Sequence, residues 1–157
     1  LKGGLNMADD AIATIQATIL PDEIAKTISA TTTVTPADAD DKWYYKLTSV
    51  ANSSGDLIDD GTNYIEYTAR ADGAITSVHA NDKVKFLFIK NVDPDSRSIY
   101  VCFDAGTASS SLGDAVTIGP NESFMARLPN CTVAEIHAIS SASTAQVIVC
   151  ALLEDVA

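Results

Sequence analysis

Positive charge is the scarcest resource of this chain. Ten Lys and Arg stand against 21 Asp and Glu in 157 residues, a net charge of −11. Residues 1–80 carry twelve acids and five bases, and residues 81–157 carry nine and five, with no basic cluster in either half. Phosphate repels such a body, which argues against direct nucleic-acid binding. Histidine occurs only at His79 and His137, and no CxxC or HxxxH spacing is present. That leaves no ligand set for zinc. The three cysteines are odd in number and widely spaced, a poor disulfide framework, although one bridge stays open. Cys102 and Cys150 lie in apolar runs and read as small buried hydrophobes. The longest apolar run, Val147 to Leu153, is seven residues and too short for a bilayer. No signal-peptide pattern is visible. Met7 reads as an ordinary start, with Leu1 to Asn6 upstream of it.

Catalytic signatures are equally thin. The Gly- and Ser-rich stretch from Gly106 to Asp114 lacks the G-K-[ST] ending of a phosphate loop. No G-x-S-x-G elbow exists for a nucleophilic serine.

What is present is strand. Hydrophobic residues make up 46%, enough for a core, while charged residues make up only 20%. Many exposed positions must be Ser, Thr, Asn or Ala, or be covered by a partner. From Asp82 to Leu153 short apolar segments alternate with turn residues: VKFLFIKN, SIYVCFDAG, DAVTIGPNESFMARLP, VAEIHAISS and AQVIVCALL. That cadence predicts an antiparallel sandwich. Alternation puts Val84, Phe86 and Phe88 on one face and Leu87 and Ile89 on the other. It likewise groups Ala134, Ile136 and Ala138 against Glu135 and His137. Gly119-Pro120-Asn121-Glu122 reads as a tight connection.

Upstream, Lys42 to Val50 (KWYYKLTSV) reads as a strand and holds the aromatic concentration. Residues 51–63 read as loop. Asp72-Gly73 signals a hairpin. Ala11 to Leu20 fits helix by its isoleucine spacing and strand by its Thr and Ile content. With Glu23 to Val34, it reads as the second of these, giving two extended segments. The last strand is apolar on both faces: Val147, Val149, Ala151 and Leu153 against Ile148, Cys150 and Leu152. An antiparallel strand usually has one wet face. The strand is therefore central and covered by the N-terminal segment, or it packs against another subunit. The low charge density favours the subunit.

Four clusters offer chemistry. Glu135 and His137 form an acid/base or metal pair, or an ordinary polar face. Asp93, Asp95 and Ser96, like Asp59 and Asp60, offer oxygens to calcium, but Asp-Pro-Asp is also ordinary turn chemistry. Trp43, Tyr44, Tyr45, Tyr64 and Tyr67 suit a sugar-binding platform, or core and interface anchors. The serine-rich loop reads as surface.

The opening TIQATILPDEIAKTISATTTVTPADADDKWYYK and the ladder from KFLFIKN to QVIVCALLED together resemble small structural proteins of tailed bacteriophages. The nearest likeness is to capsid decoration, or cement, proteins. The resemblance implies an all-β, jelly-roll-like antiparallel sandwich over residues 42–157, with an extended N-terminal arm over residues 1–41. It implies no enzyme activity and no cofactor. It implies a homotrimer on the outer capsid surface of the virion, partnered by the major capsid protein, with no nucleic-acid or membrane contact. The arm would reach an adjacent capsomer. The interface residues expected are Trp43, Tyr44, Tyr45, Val147, Val149, Leu152 and Leu153. A tail, neck or fibre component, or a carbohydrate-binding module, are the alternatives.

Overall fold

The computed structural model describes residues 10–19, 26–37, 40–62 and 77–156. The chain divides into two compact units, Leu1–Ala39 and Asp40–Ala157. The described residues are all β apart from one 3-10 turn.

In the first unit, β1 (Ala11–Ile19) pairs antiparallel with β2 (Lys26–Val34) along its whole length. The Thr and Ile content of both segments decides for strand over helix, because β-branched side chains fit a pleated ribbon. One face of this ribbon is threonine-rich. Thr14 meets Thr31 and Thr18 meets Thr27, each hydroxyl pair at 3.2 Å.

The second unit holds two four-stranded antiparallel sheets. β3 (Asp41–Val50), β10 (Ala145–Glu154), β5 (Lys83–Asn91) and β8 (Ser123–Ala126) lie side by side in that order. β4 (Gly55–Asp56), β9 (His137–Ser140), β6 (Ile99–Cys102) and β7 (Val116–Ile118) form the other. The pairs nest: β3 with β10, β4 with β9, β5 with β8 and β6 with β7. The strands of each sheet thus come from both halves of the unit.

One core lies between the sheets. The first sheet contributes Tyr44, Val50, Leu87, Ile89 and alternate residues of β10 from Ala145 to Leu153. The second contributes Ile99, Val101, Ile118 and Ala138. Each fully buried aliphatic chain of this kind stabilises the fold by about 1.5–3 kcal/mol. The buried amide of Asn91 ties the layers together. Its Nδ2 donates to the carbonyls of Arg97 (2.7 Å) and Ile118 (3.1 Å), and its Oδ1 accepts from Asp93 N–H (3.0 Å). Every polar atom of that side chain is satisfied, as burial requires.

Several expectations are corrected. Val84 sits on the core face with Leu87 and Ile89, not with Phe86 and Phe88. The pairing of β5 with β10 slips between Leu152 and Leu153, so Lys85 is an extra residue. Such a bulge reverses the alternation at that point. Ala134 is exposed and Val133 is buried in its place, while Ile136 and Ala138 are buried as expected. There the chain is a 3-10 turn (Val133–Glu135), whose period of three replaces the strand period of two. The 51–63 loop contains strand β4, and Leu57 and Ile58 after it are fully buried. The turn at Gly119 is tight, with Glu122 N–H donating to Gly119 O at 3.0 Å and Asn121 at φ 62°. Pro followed by a left-handed Asn suits a type II turn. The strands it joins, β7 and β8, belong to different sheets rather than to one hairpin. The hairpin expected at Asp72-Gly73 lies outside the described residues.

Candidate interaction surface

The outward face of the first sheet is built by alternation and register. On β3, Tyr44, Thr48 and Val50 turn inward and are buried, so Trp43, Tyr45 and Leu47 turn outward. On β10 the inward set is Val147, Val149, Ala151 and Leu153, which leaves Ile148, Cys150 and Leu152 outside. The bulge at Lys85 puts Phe86 and Phe88 on the same outer side.

Pairing then aligns these residues in three cross-strand rows. Leu47, Ile148, Lys90 and Ser123 form one. Tyr45, Cys150, Phe88 and Met125 form the second. Trp43, Leu152 and Phe86 form the third. Neighbours along such a row touch, and aromatic pairs add about 0.2–1 kcal/mol each. Lys90 and Ser123 are the polar members. The rows are unevenly covered. Leu152 retains 2% of its surface, whereas Tyr45 and Leu47 retain 49% and 52%.

Polar groups bound this patch at both ends. At one end the Gln146 amide donates to Ser49 Oγ at 2.8 Å. At the other, Lys85 Nζ reaches Asp41 Oδ1 at 2.8 Å and Glu154 Oε2 at 3.1 Å, with Lys83 at 3.9 Å from Glu154. The hydrogen bond to Asp41 is the main reason that the Lys85 ammonium titrates above its ordinary range. An apolar centre inside a polar rim is the usual anatomy of a protein–protein contact.

The seven residues expected at an interface are divided by the structure. Trp43, Tyr45 and Leu152 lie on this outer face. Tyr44, Val147, Val149 and Leu153 belong to the core, where no partner can reach them. Sequence reasoning missed Leu47, Phe88 and Met125. Their signal was the strand period, but which phase of it faces outward depends on the second sheet.

The chemical candidates are held in structural roles. Glu135 and His137 do not form a pair. The Glu135 carboxylate accepts from Thr132 N–H (2.7 Å) and Oγ1 (3.1 Å), closing a capping box. His137 lies between Gly106 O at Nδ1 and Asp56 Oδ1 at Nε2 (3.1 Å). Cys102, directly across from His137, is buried and its thiol donates to the same Gly106 carbonyl at 3.4 Å. Burial first, then the Asp104 carboxylate, pushes that thiol up.

In the Asp-Pro-Asp loop, Asp93 Oδ2 accepts from the N–H groups of Asp95 and Arg97, and Oδ1 from Gln146 N–H and the Arg97 guanidinium. Arg97 also donates to Thr144 O. Burial raises the Asp93 carboxyl, but these donors outweigh it and hold it below the ordinary range. Among the described residues no group of three or more His, Cys, Asp or Glu is placed to hold a metal. The cysteines are free thiols. No helix among the described residues is long and apolar enough to cross a membrane.

Of the aromatic platform, Tyr44 is internal and Tyr64 and Tyr67 lie outside the described residues. A depression of about 260 Å³ on the other sheet is lined by Tyr100, Ile139, Asn52 and serines including Ser109 and Ser110 of the Gly-Ser loop. It has no cationic lining residue, so it offers no charge to phosphate.

Compared with known proteins, the chain matches no family model, no curated protein and no solved structure.

Proposed function

We propose that this chain is a non-enzymatic structural protein that works by burying its outer sheet face against neighbouring subunits. Its setting, on this reading, is the outer surface of a tailed-phage capsid. There it acts as a decoration protein that binds the major capsid protein as a symmetric homo-oligomer, a trimer by family likeness, and stabilises the shell. The observation that carries the reading is the rimmed apolar patch of Trp43, Tyr45, Leu47, Ile148, Phe88 and Met125. Apolar surface held open on a rigid sheet is a liability for a solitary soluble protein, and in stable proteins it marks an interaction site.

Two further features support it. We read the body as a jelly roll, because its nested pairing is what results when one long eight-stranded hairpin is rolled over into two sheets. The polar side chains best suited to chemistry, Glu135, His137 and Asp93, spend their hydrogen bonds on the scaffold.

The test is location and binding. Mass spectrometry of separated capsids and tails from a phage encoding this sequence should find it with capsids, and purified protein should co-sediment with undecorated shells and raise their opening temperature. Recovery only in tails, or failure to bind shells, overturns the capsid assignment.

A further inference from the structure

The first unit presents a second surface of the same kind. β1 and β2 are nine residues each. Their threonine face satisfies itself through hydroxyl pairs. By register the opposite face carries Ala13, Ile15 and Ala17 from β1 and Ile28, Ala30 and Val34 from β2, with Thr32 among them and Lys26 at the hairpin end. Ala13 and Val34, at the open end, are buried. Beyond them Ile15 is 53% exposed and Ile28 62% exposed. A two-stranded ribbon is marginal in water unless a third layer covers its apolar face. This ribbon therefore needs a surface to lie on.

From these two surfaces we infer that the β1–β2 ribbon of one copy lies across the outer face of the β3–β10–β5–β8 sheet of a second copy. Three complementarities point to this occupant. The ribbon face is small, with alanines between its isoleucines, while the sheet face is bulky, with Trp43, Tyr45, Phe88 and Met125. Rings fill the space that alanines leave, the interdigitation on which dense packing depends. The charges are opposite: all five acids of residues 1–39 lie in the segments flanking β1 and β2, against Lys2 and Lys26, whereas the outer side of the sheet carries Lys83, Lys85 and Lys90 against Asp41 and Glu154. The strands of the other sheet carry no Lys or Arg, so this sheet is the one the acidic segments flanking the ribbon prefer.

Area decides the geometry of assembly. A ribbon nine residues long is about 30 Å by 10 Å, so one contact removes roughly 600 Å² from water counting both sides. A stable interface needs about 1,200 Å² or more. One contact is too small, and two are enough. Each copy must therefore both give a ribbon and receive one, which a closed symmetric oligomer provides and an open pair does not. The inference deepens the proposed role of this sheet face, and it is tested without any shell present.

The experiment is complementation in trans, read by light scattering after size exclusion. Full-length chain is expected to be oligomeric at micromolar concentration. Ile28→Glu on the ribbon and Leu47→Glu on the sheet alter exposed side chains, and each alone should reduce the mass to that of one chain. Mixed together at high concentration they should form a weak pair of two chains and nothing larger, because the intact sheet of the first accepts the intact ribbon of the second through a single contact. Ile12→Glu, on the threonine face, should leave the mass unchanged. Circular dichroism confirms that each variant is folded. A monomeric parent chain, an Ile28→Glu or Leu47→Glu protein that stays oligomeric, or a mixture that stays monomeric would each overturn the inference. Capsid co-sedimentation of the parent chain is a separate readout, so loss of one result leaves the other standing.

Discussion

The rings of Trp43 and Phe86 meet edge to face, with centroids 6.3 Å apart and planes at 79°, although their strands are not neighbours. β10 runs between those strands, so their backbones are about 10 Å apart. The rings lean towards each other over Leu152, which pairs with both residues, and this explains why Leu152 keeps so little exposure on an outward face. Phe86→Ala should remove half of that roof. The expected loss is about 3 kcal/mol in denaturant titration, in line with large-to-small changes at buried aromatics. Trp43 is the only tryptophan, so its emission should shift to the red in the folded variant. An unchanged spectrum would show that Phe86 does not shield it.

Thr48 Oγ1 is buried without a hydrogen-bond partner. A buried hydroxyl with nothing to bond to costs about 1–3 kcal/mol relative to an apolar group. Thr48→Val keeps the branched shape and removes that cost. It should stabilise the protein by about 1 kcal/mol and raise Tm by roughly 2–4 °C. Calorimetry giving a lower Tm would mean that the hydroxyl is needed.

Asp93 makes stability depend on acid. Its carboxyl is held below the ordinary 3.8 in the folded chain. A depressed folded value means that the unfolded chain binds the proton more readily, so Asp93 stabilises fully above pH 3.8. That contribution disappears as pH falls through the depressed value. Asp93→Asn should weaken the protein at pH 7 and flatten the fall in stability below pH 4. Urea midpoints across pH 2–7 would show this, and parallel curves for the two proteins would refute it.

Asn91 is a sharper lesion because it is fully enclosed. Asn91→Ala strands the carbonyls of Arg97 and Ile118 and the N–H of Asp93. Loss of several satisfied buried bonds should cost about 3 kcal/mol in chemical denaturation. Asn91→Asp should be no better, since it replaces the Nδ2 donor that both carbonyls need.

The cysteines should be poor nucleophiles. Burial, with the Glu135 charge second, pushes Cys131 up to about 11. At pH 8 only about one thousandth of it is thiolate. Burial also raises Cys150. A maleimide should label the folded chain slowly at pH 8. Labelling of Cys150 should quicken in the Leu47→Glu variant if the sheet face is covered in the assembled protein.

Much of the fold follows from short-range pattern. Alternation in FLFI, SIYV and QVIV marks the strands, because a pleated chain presents successive side chains to opposite sides. The Pro-Asn pair at 120–121 marks its turn, because proline presets one dihedral and asparagine tolerates the left-handed one. The two-sided apolar character of β10 is likewise written in its composition, and so is the excess of acid over base.

Three other things were decided only in the folded molecule. Alternation gives a period without a sign, so Tyr44 inside and Trp43 and Tyr45 outside could not be told from the reverse until the second sheet lay beneath β3. The extra residue at Lys85 shifts the phase of β5 near its start, and its ammonium reaches the Asp41 and Glu154 carboxylates on other strands, 44 and 69 residues away. The pairing of β3 with β10 spans the whole second unit. Such contacts depend on closing long loops and on shared burial, and no local window of sequence contains either. That is why the strands were legible in the chain, while the surface they leave open emerged only when they were assembled.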